Sequence, residues 1–372
     1  MLGLIGVLIG LAIALRASVA AQVRVVGVLA TQLDTPVLAP VVERLTGAPR
    51  VRERSLAGLP ATEVRPSGDG PWPAVLFLNG ATPDGRRNPQ VRRLARGLAR
   101  TGHLVLVPDL PGLARGEIAD DTLTAALAAT SAVAGRRDAQ DGRVALVGVS
   151  VGASLALVAA AEPRLGGRVA VVGGVAPYAE LETVVRVATT GTYRFARGVR
   201  PFEAEPFVRV VVARSLVAAL PEGPDRAALD GVVSRIAAGA SLGPADLAGL
   251  VALGPDARAV GALLLNRDPG SFDALFAGLS PGVQARLERL SPLDEMPSVG
   301  APVELAAPPR DKYFPLSESR RLVRRAPRGR LTVTRALTHA DLTPSLGEAG
   351  ELLALNAFVR RTLELARADP GG

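Results

Sequence analysis

The sequence predicts an α/β fold with a mainly parallel central sheet flanked by helices, and three observations carry that expectation. Short continuous apolar runs such as Ala74-Val75-Leu76-Phe77-Leu78 and Leu104-Val105-Leu106-Val107 have the length and composition of strands buried on both faces. Longer helical stretches alternate with them, the spacing of right-handed crossovers between parallel strands. A chain of 372 residues, 48% of them hydrophobic, is long enough for one large domain with an insertion, or for two modest domains.

Residues 1–15 (MLGLIGVLIGLAIAL) carry no charge, and Arg16 closes the run. A membrane-crossing helix needs roughly 20 apolar residues, so the run reaches that length only with Arg16 near its end, where the side chain can snorkel. It is read as an uncleaved N-terminal membrane-anchor helix. The rival reading is a secretory signal, cleaved after Ser18-Val19-Ala20, although no Lys or Arg precedes the apolar run. Arg16 and Arg24 follow it, a small bias toward a cytoplasmic position for the rest of the chain.

From about residue 50, β-type runs separated by turns take over. Thr62-Glu63-Val64-Arg65 alternates and ends in Pro66-Ser67-Gly68-Asp69-Gly70-Pro71, a half-exposed strand and a turn. The run 74–78 ends at Asn79-Gly80. A helix over about 88–101 leads to the strand 104–107, and a second helix covers about 119–134. The strand Arg143–Val147 enters Gly148-Val149-Ser150-Val151-Gly152, an alanine-rich helix continues to about Ala161, and Arg168–Val172 is a further strand. Between Tyr178 and Pro297 the segments read as helices punctuated by Pro and Gly, with no strand expected. Pro302–Ala307 resumes the sheet, Arg330–Thr334 is the last strand, and a helix over about 347–368 closes the chain. The interruption follows the carboxyl end of a strand, where open α/β sheets place their ligands.

Composition excludes several classes of chemistry. With 0 Cys and 2 His, the chain has no residues for thiolate zinc sites, disulfides or cysteine nucleophiles, and neither a metal nor an organic cofactor is implied. The net charge of +8 comes from basic residues that are all arginine except Lys312, scattered among Ala, Gly and Pro. Basic residues interleaved with aromatics, as a nucleic-acid platform requires, are not found, so no nucleic-acid partner is expected.

The strongest local signal is Gly148-x-Ser150-x-Gly152, between a buried strand and a helix. In that context the flanking glycines permit a sharp turn, the serine hydroxyl is exposed at the sheet edge, and the Val151 amide at the helix start faces a developing oxyanion. The competing reading is a serine that merely caps the helix. A serine nucleophile needs a base. His339, just past the last strand, lies at the carboxyl edge of the sheet; His103 precedes a strand, at the opposite edge, and reads as an exposed or capping residue. The orienting acid is expected at Asp311, after the intervening strand, where its competing reading is a surface salt bridge to Arg310 or Lys312. Asp341, only two residues from His339, and Glu180 are its rivals. Glu304, in an otherwise apolar strand, has no explanation in the sequence.

The chain order Ser150, Asp311, His339, each just beyond a predicted strand, resembles the α/β-hydrolase superfamily from about residue 51 to the end. Leu78-Asn79-Gly80-Ala81 is similar to the family's oxyanion segment, with Asn79 where the family usually has histidine; the resemblance implies a backbone donor at Gly80 or Ala81 beside that of Val151. Val107-Pro108-Asp109-Leu110-Pro111-Gly112 looks like the family's next strand-to-loop segment, whereas Ala306-Ala307-Pro308-Pro309 lacks the glycine common before the acid loop. The interruption resembles the helical caps of this superfamily, and Tyr178, Tyr193, Phe195, Phe202, Phe207, Phe272 and Phe276 either line an acyl pocket or form the cap's own core.

The expected organisation is an N-terminal hydrophobic anchor or signal peptide (1–30), a connecting segment (31–50), a hydrolase core (51–176 and 301–372) and a helical cap (177–300). The expected activity is a serine hydrolase that cleaves carboxylic ester, thioester or amide bonds of a small, hydrophobic acyl substrate. An acyltransferase using the same triad and a non-catalytic, membrane-tethered binding protein are the alternatives. The expected location is the membrane, or outside the cell if the N-terminus is cleaved.

Overall fold

The computed structural model describes residues 47–196, 198–240, 244–342 and 349–367. The expected anchor over residues 1–30 and nearly all of the connecting segment lie outside these. Among the described residues no helix is long and apolar enough to cross a membrane.

The core is an eight-stranded sheet in the order β1-β2-β4-β3-β5-β6-β9-β10, formed by Arg50–Leu56, Leu59–Arg65, Leu104–Pro108, Trp72–Leu78, Ala139–Val149, Val169–Val175, Val303–Ala307 and Gly329–Val333. The pairs β1·β2 and β2·β4 are antiparallel, and every later pairing is parallel. The central strands are apolar because both of their faces are covered. Leu76, Leu78, Leu104, Leu106 and Leu146 meet α2 (Asp120–Ala134) and α3 (Val151–Ala161). Val75, Phe77, Val105 and Ala145 meet α1 (Pro89–Arg100) and the closing helix. At the edge, β1 exposes Arg50, Arg52 and Arg54, charges that discourage pairing with another chain.

After β6 the chain leaves the sheet for α4 (Leu181–Thr190), a hairpin of β7 (Thr192–Phe195) and β8 (Gly198–Pro201), and helices α5 (Pro206–Val217), α6 (Pro224–Ala237), α7 (Pro244–Gly249), α8 (Pro255–Leu265), α9 (Phe272–Ala277) and α10 (Pro281–Arg289). The prolines expected to punctuate this segment instead begin its helices, since a first-turn N–H has no intrahelical acceptor to lose. The hairpin corrects the expectation of no strand here: two four-residue strands, Thr192-Tyr193-Arg194-Phe195 and Gly198-Val199-Arg200-Pro201, pair only with each other. The two ends of this segment meet. Tyr178 Oη donates to the Leu290 carbonyl (2.9 Å), Leu181 N–H to Ser291 Oγ (2.9 Å) and Leu293 N–H to the Ala179 carbonyl (3.2 Å).

The chain then forms β9, α11 (Leu316–Arg325), β10, a two-residue ladder of β11 (Leu337–Thr338) with β12 (Asp341–Leu342), and α12 (Ala349–Arg367). Helix α12 explains Glu304. Arg361 donates from Nε to the Glu304 carboxylate (2.9 Å) and from Nη2 to Thr332 Oγ1 (3.0 Å), so the strand charge is paired by the closing helix. His103 is the second correction: it is buried, with Nδ1 2.7 Å from Thr101 Oγ1, because the turn before β4 is covered rather than solvated.

Candidate active site

Strand β5 delivers Ser150 to the carboxyl edge of the sheet with φ 54° and ψ −126°. A non-glycine residue in that region is strained by about 1–3 kcal/mol and persists only where its surroundings hold it. The Ser150 N–H donates to the Val175 carbonyl at the end of β6 (2.8 Å), and the Ser150 carbonyl accepts from Ala153 and Ser154 as α3 begins. Val151 follows as the first helical residue, where its N–H has no carbonyl within the helix to bond. Both motif glycines are required by contact. A Cβ on Gly152 would lie 2.0 Å from the Leu78 carbonyl oxygen and 2.6 Å from that of Asn79; one on Gly148 would lie 2.5 Å from the Gly152 carbonyl oxygen. The exit of β3 is thereby packed onto the first turn of α3.

Gly80 lies against the serine, since a Cβ there would be 3.2 Å from Ser150 Cβ. The loop beyond it is fastened to its surroundings: Arg86 donates from its backbone N–H and from Nη1 to the Asp109 carboxylate (2.9 and 2.7 Å).

His339 occupies the first position of the two-residue turn between β11 and β12, with φ 56°; a positive φ there suits the twist of a tight hairpin. Its Nδ1 lies 2.9 Å from Asp311 Oδ2 and 3.1 Å from Oδ1. Asp311 also accepts the N–H of Tyr313 (2.6 Å) and of Phe314 (3.3 Å), which fixes its carboxylate without a glycine before the acid loop. The rings of those two residues enclose the imidazole: Tyr313 stacks on it at 4.0 Å between centroids and 17° between planes, and Phe314 meets it edge-on at 5.6 Å. Burial, followed by the charges of Glu205, Asp341 and Asp311, raises the Tyr313 phenol above its ordinary value, so it stays neutral. An Nδ1–H bonded to Asp311 leaves Nε2 free to accept a proton.

The rival acids are engaged elsewhere. Asp341 accepts Nε2–H of Gln90 (2.6 Å), and Glu180 pairs with Arg321 (2.6 Å). The structure therefore brings Asp311 and His339 into direct contact and places Ser150, Val151, Gly80, Ala81 and His339 on the wall of one cavity of about 250 Å³. The cavity lining is of two kinds. The more exposed lining residues Asn88, Gln90, Thr338 and Asp341 are polar, whereas Ile118, Leu181, Val184, Val211, Val212 and Leu216 are apolar, with Ser215 among them; α4 and α5 contribute most of these. The aromatic pair Tyr313-Phe314 was overlooked in the sequence although it follows the acid almost directly; only its contacts reveal its place.

No family model matches the sequence, and no curated protein does. Among solved structures, the chain is similar to a hyperthermophilic esterase of the archaeon Pyrobaculum calidifontis (18% identity, TM-score 0.50, covering 88% of each chain). A dienelactone hydrolase of Anabaena variabilis (17%, 0.44, 85% of this chain and 98% of that one) and an esterase of Pyrococcus furiosus (16%, 0.45, 86% and 94%) also match. The sheet order, the strand–turn–helix around Ser150 and the likeness to the Pyrobaculum structure lead to one assignment: this chain has the α/β-hydrolase fold.

Proposed function

We propose that this protein is a serine esterase acting on small esters with an apolar, uncharged acyl group. The contact that carries the reading is Asp311 to His339, whose imidazole lines the same cavity as a serine held at positive φ. In this mechanism His339 Nε2 takes the Ser150 hydroxyl proton as Oγ bonds to the ester carbonyl carbon. The resulting oxyanion is held by the Val151 N–H and by a donor from Gly80 or Ala81. Collapse breaks the bond to the alcohol oxygen, which leaves with the proton from His339. Water then attacks the acyl-enzyme, giving its proton to His339, and the carboxylic acid departs as Ser150 is reprotonated. Asp311 orients the imidazole and stabilises its charged form. The apolar lining suits the acyl group and the more exposed polar lining suits an alcohol part, with residues 177–300 acting as the cap that selects between substrates. An anchor over residues 1–15 belongs to the proposal, and the mass of the mature N-terminus tests it.

The deciding experiment is labelling by a fluorophosphonate, with hydrolysis of short p-nitrophenyl esters followed in parallel. Labelling of the parent that disappears in Ser150→Ala and His339→Ala is the expected result. Labelling that persists in Ser150→Ala overturns the assignment.

A further inference from the structure

Asn79 is a polar residue in an apolar place. It directly follows the buried run of β3, is 3% exposed, and its Oδ1 is buried with no hydrogen-bond partner among the described residues. It also lines the cavity that holds Ser150 and His339, and an unpaired buried acceptor there costs stability that an apolar residue of the same shape would not. Such a local violation points to a functional demand.

Its other side-chain atom shows the demand. Asn79 Nδ2 donates to the carbonyl of Gly80 at 2.9 Å. Gly80 is in turn pressed against Ser150, as the Cβ distances above require. Carbonyl and N–H point in opposite directions across a planar trans peptide, so holding the Gly80 oxygen also aims the Ala81 N–H. The preceding peptide is aimed the other way: the Asn79 carbonyl is packed against Gly152 at the start of α3, which turns the Gly80 N–H away from that turn. Beyond Ala81, Thr82 accepts the Gly85 N–H (3.0 Å) and the Asn88 side-chain amide (3.3 Å), so the loop is secured again.

We propose that Asn79 is a positioning residue for the oxyanion hole, holding the Gly80 carbonyl so that Ala81 N–H is the second donor beside Val151 N–H. The inference rests on the esterase reading. It assigns Asn79 a purpose separate from stability, and this separation makes it testable.

The variants are Asn79→Leu, which keeps the shape and removes the donor, Asn79→Ala, and Asn79→His, which returns an N–H donor. Expected for Asn79→Leu are a melting temperature equal to or above the parent's, a kcat about 100-fold lower with KM within about threefold, and a similar loss of affinity for a boronic acid that mimics the tetrahedral intermediate. Asn79→His is expected to recover part of kcat. If Asn79→Leu does not fold, Asn79→Ala is read the same way. A kcat within threefold of the parent in the folded variant overturns the proposal. Equal losses in all three variants together with lower melting temperatures also overturn it, in favour of a structural role. A parent that the fluorophosphonate fails to label overturns the esterase reading and this inference together; a labelled parent with unaffected Asn79 variants overturns this inference alone.

Discussion

Gly152→Ala tests the close packing of the β3 exit onto α3 with a single methyl group. The added Cβ would sit 2.0 Å from the Leu78 carbonyl oxygen and 2.6 Å from that of Asn79. Carbon and oxygen need roughly 3 Å or more between them, so strand exit or helix start must retreat by about 1 Å. Both obstacles are backbone atoms, which no rotamer change relieves. The cost is therefore expected toward the upper part of the overpacking range, about 3 kcal/mol. A displacement of about 1 Å in the groups around a nucleophile lowers kcat by roughly 100-fold. Gly231→Ala is the control, because in α6 its Cβ would meet nothing within 4 Å; it should stabilise by about 1 kcal/mol through helix propensity and leave kcat alone. Thermal melts and p-nitrophenyl ester kinetics on the two variants read both quantities. A Gly152→Ala protein with parental melting temperature and kcat would refute the packing argument.

Asp311→Asn should lower kcat by about 10³- to 10⁴-fold with little change in KM, since an amide favours the wrong imidazole tautomer; steady-state kinetics at neutral pH decides it. Tyr178→Phe removes the hydroxyl that caps the buried Leu290 carbonyl and should destabilise by about 1–3 kcal/mol in urea melts, whereas an unchanged midpoint would mean that the carbonyl finds another donor. At the other end of the sheet, Glu63 receives Arg65 Nε and Arg136 Nη2 at 2.7 Å each. Burial alone raises the Glu63 carboxyl, but these arginines with Arg54 hold it below its ordinary value. Arg136, followed by Arg65, likewise lowers Asp138 against the opposing effect of burial. Folded values below the unfolded ones mean that these pairs stabilise above the ordinary carboxylate range and that this contribution is lost as pH falls through the folded values. Glu63→Gln should therefore destabilise by about 3 kcal/mol at pH 7 and flatten the decline in stability below about pH 4.5; parallel acid slopes for the two proteins would contradict it.

What could be read from the sequence was local. The strand, turn and helix around Ser150 lie within a few tens of residues, and the carboxyl-edge position of His339 follows from the strand before it, so both were legible without a tertiary model. Features that depend on distant partners were not. Glu304 looks misplaced until Arg361 arrives from 57 residues away. His103 looks exposed because nothing nearby in the sequence shows that its turn is covered. The start of β5 at Ala139 was missed because Asp141 and Gly142, both at positive φ, interrupt the apolar pattern. The β7–β8 hairpin was missed because its strands are only four residues long and β8 ends in proline, too short a stretch for alternation to register. Asn79 was seen only as a departure from a pattern; its two side-chain atoms, one bonded and one orphaned, give it meaning.

The meeting of Tyr178 with Leu290 has a consequence on another timescale. Where a long excursion departs and returns at neighbouring points, its length can change without re-threading the sheet, even though it also touches the core through Ser215, Glu205 and Arg286. Insertions or deletions between Leu181 and Leu290 are therefore expected to leave the strand order of the sheet as it is, because the cost of closing a loop grows only slowly with its length.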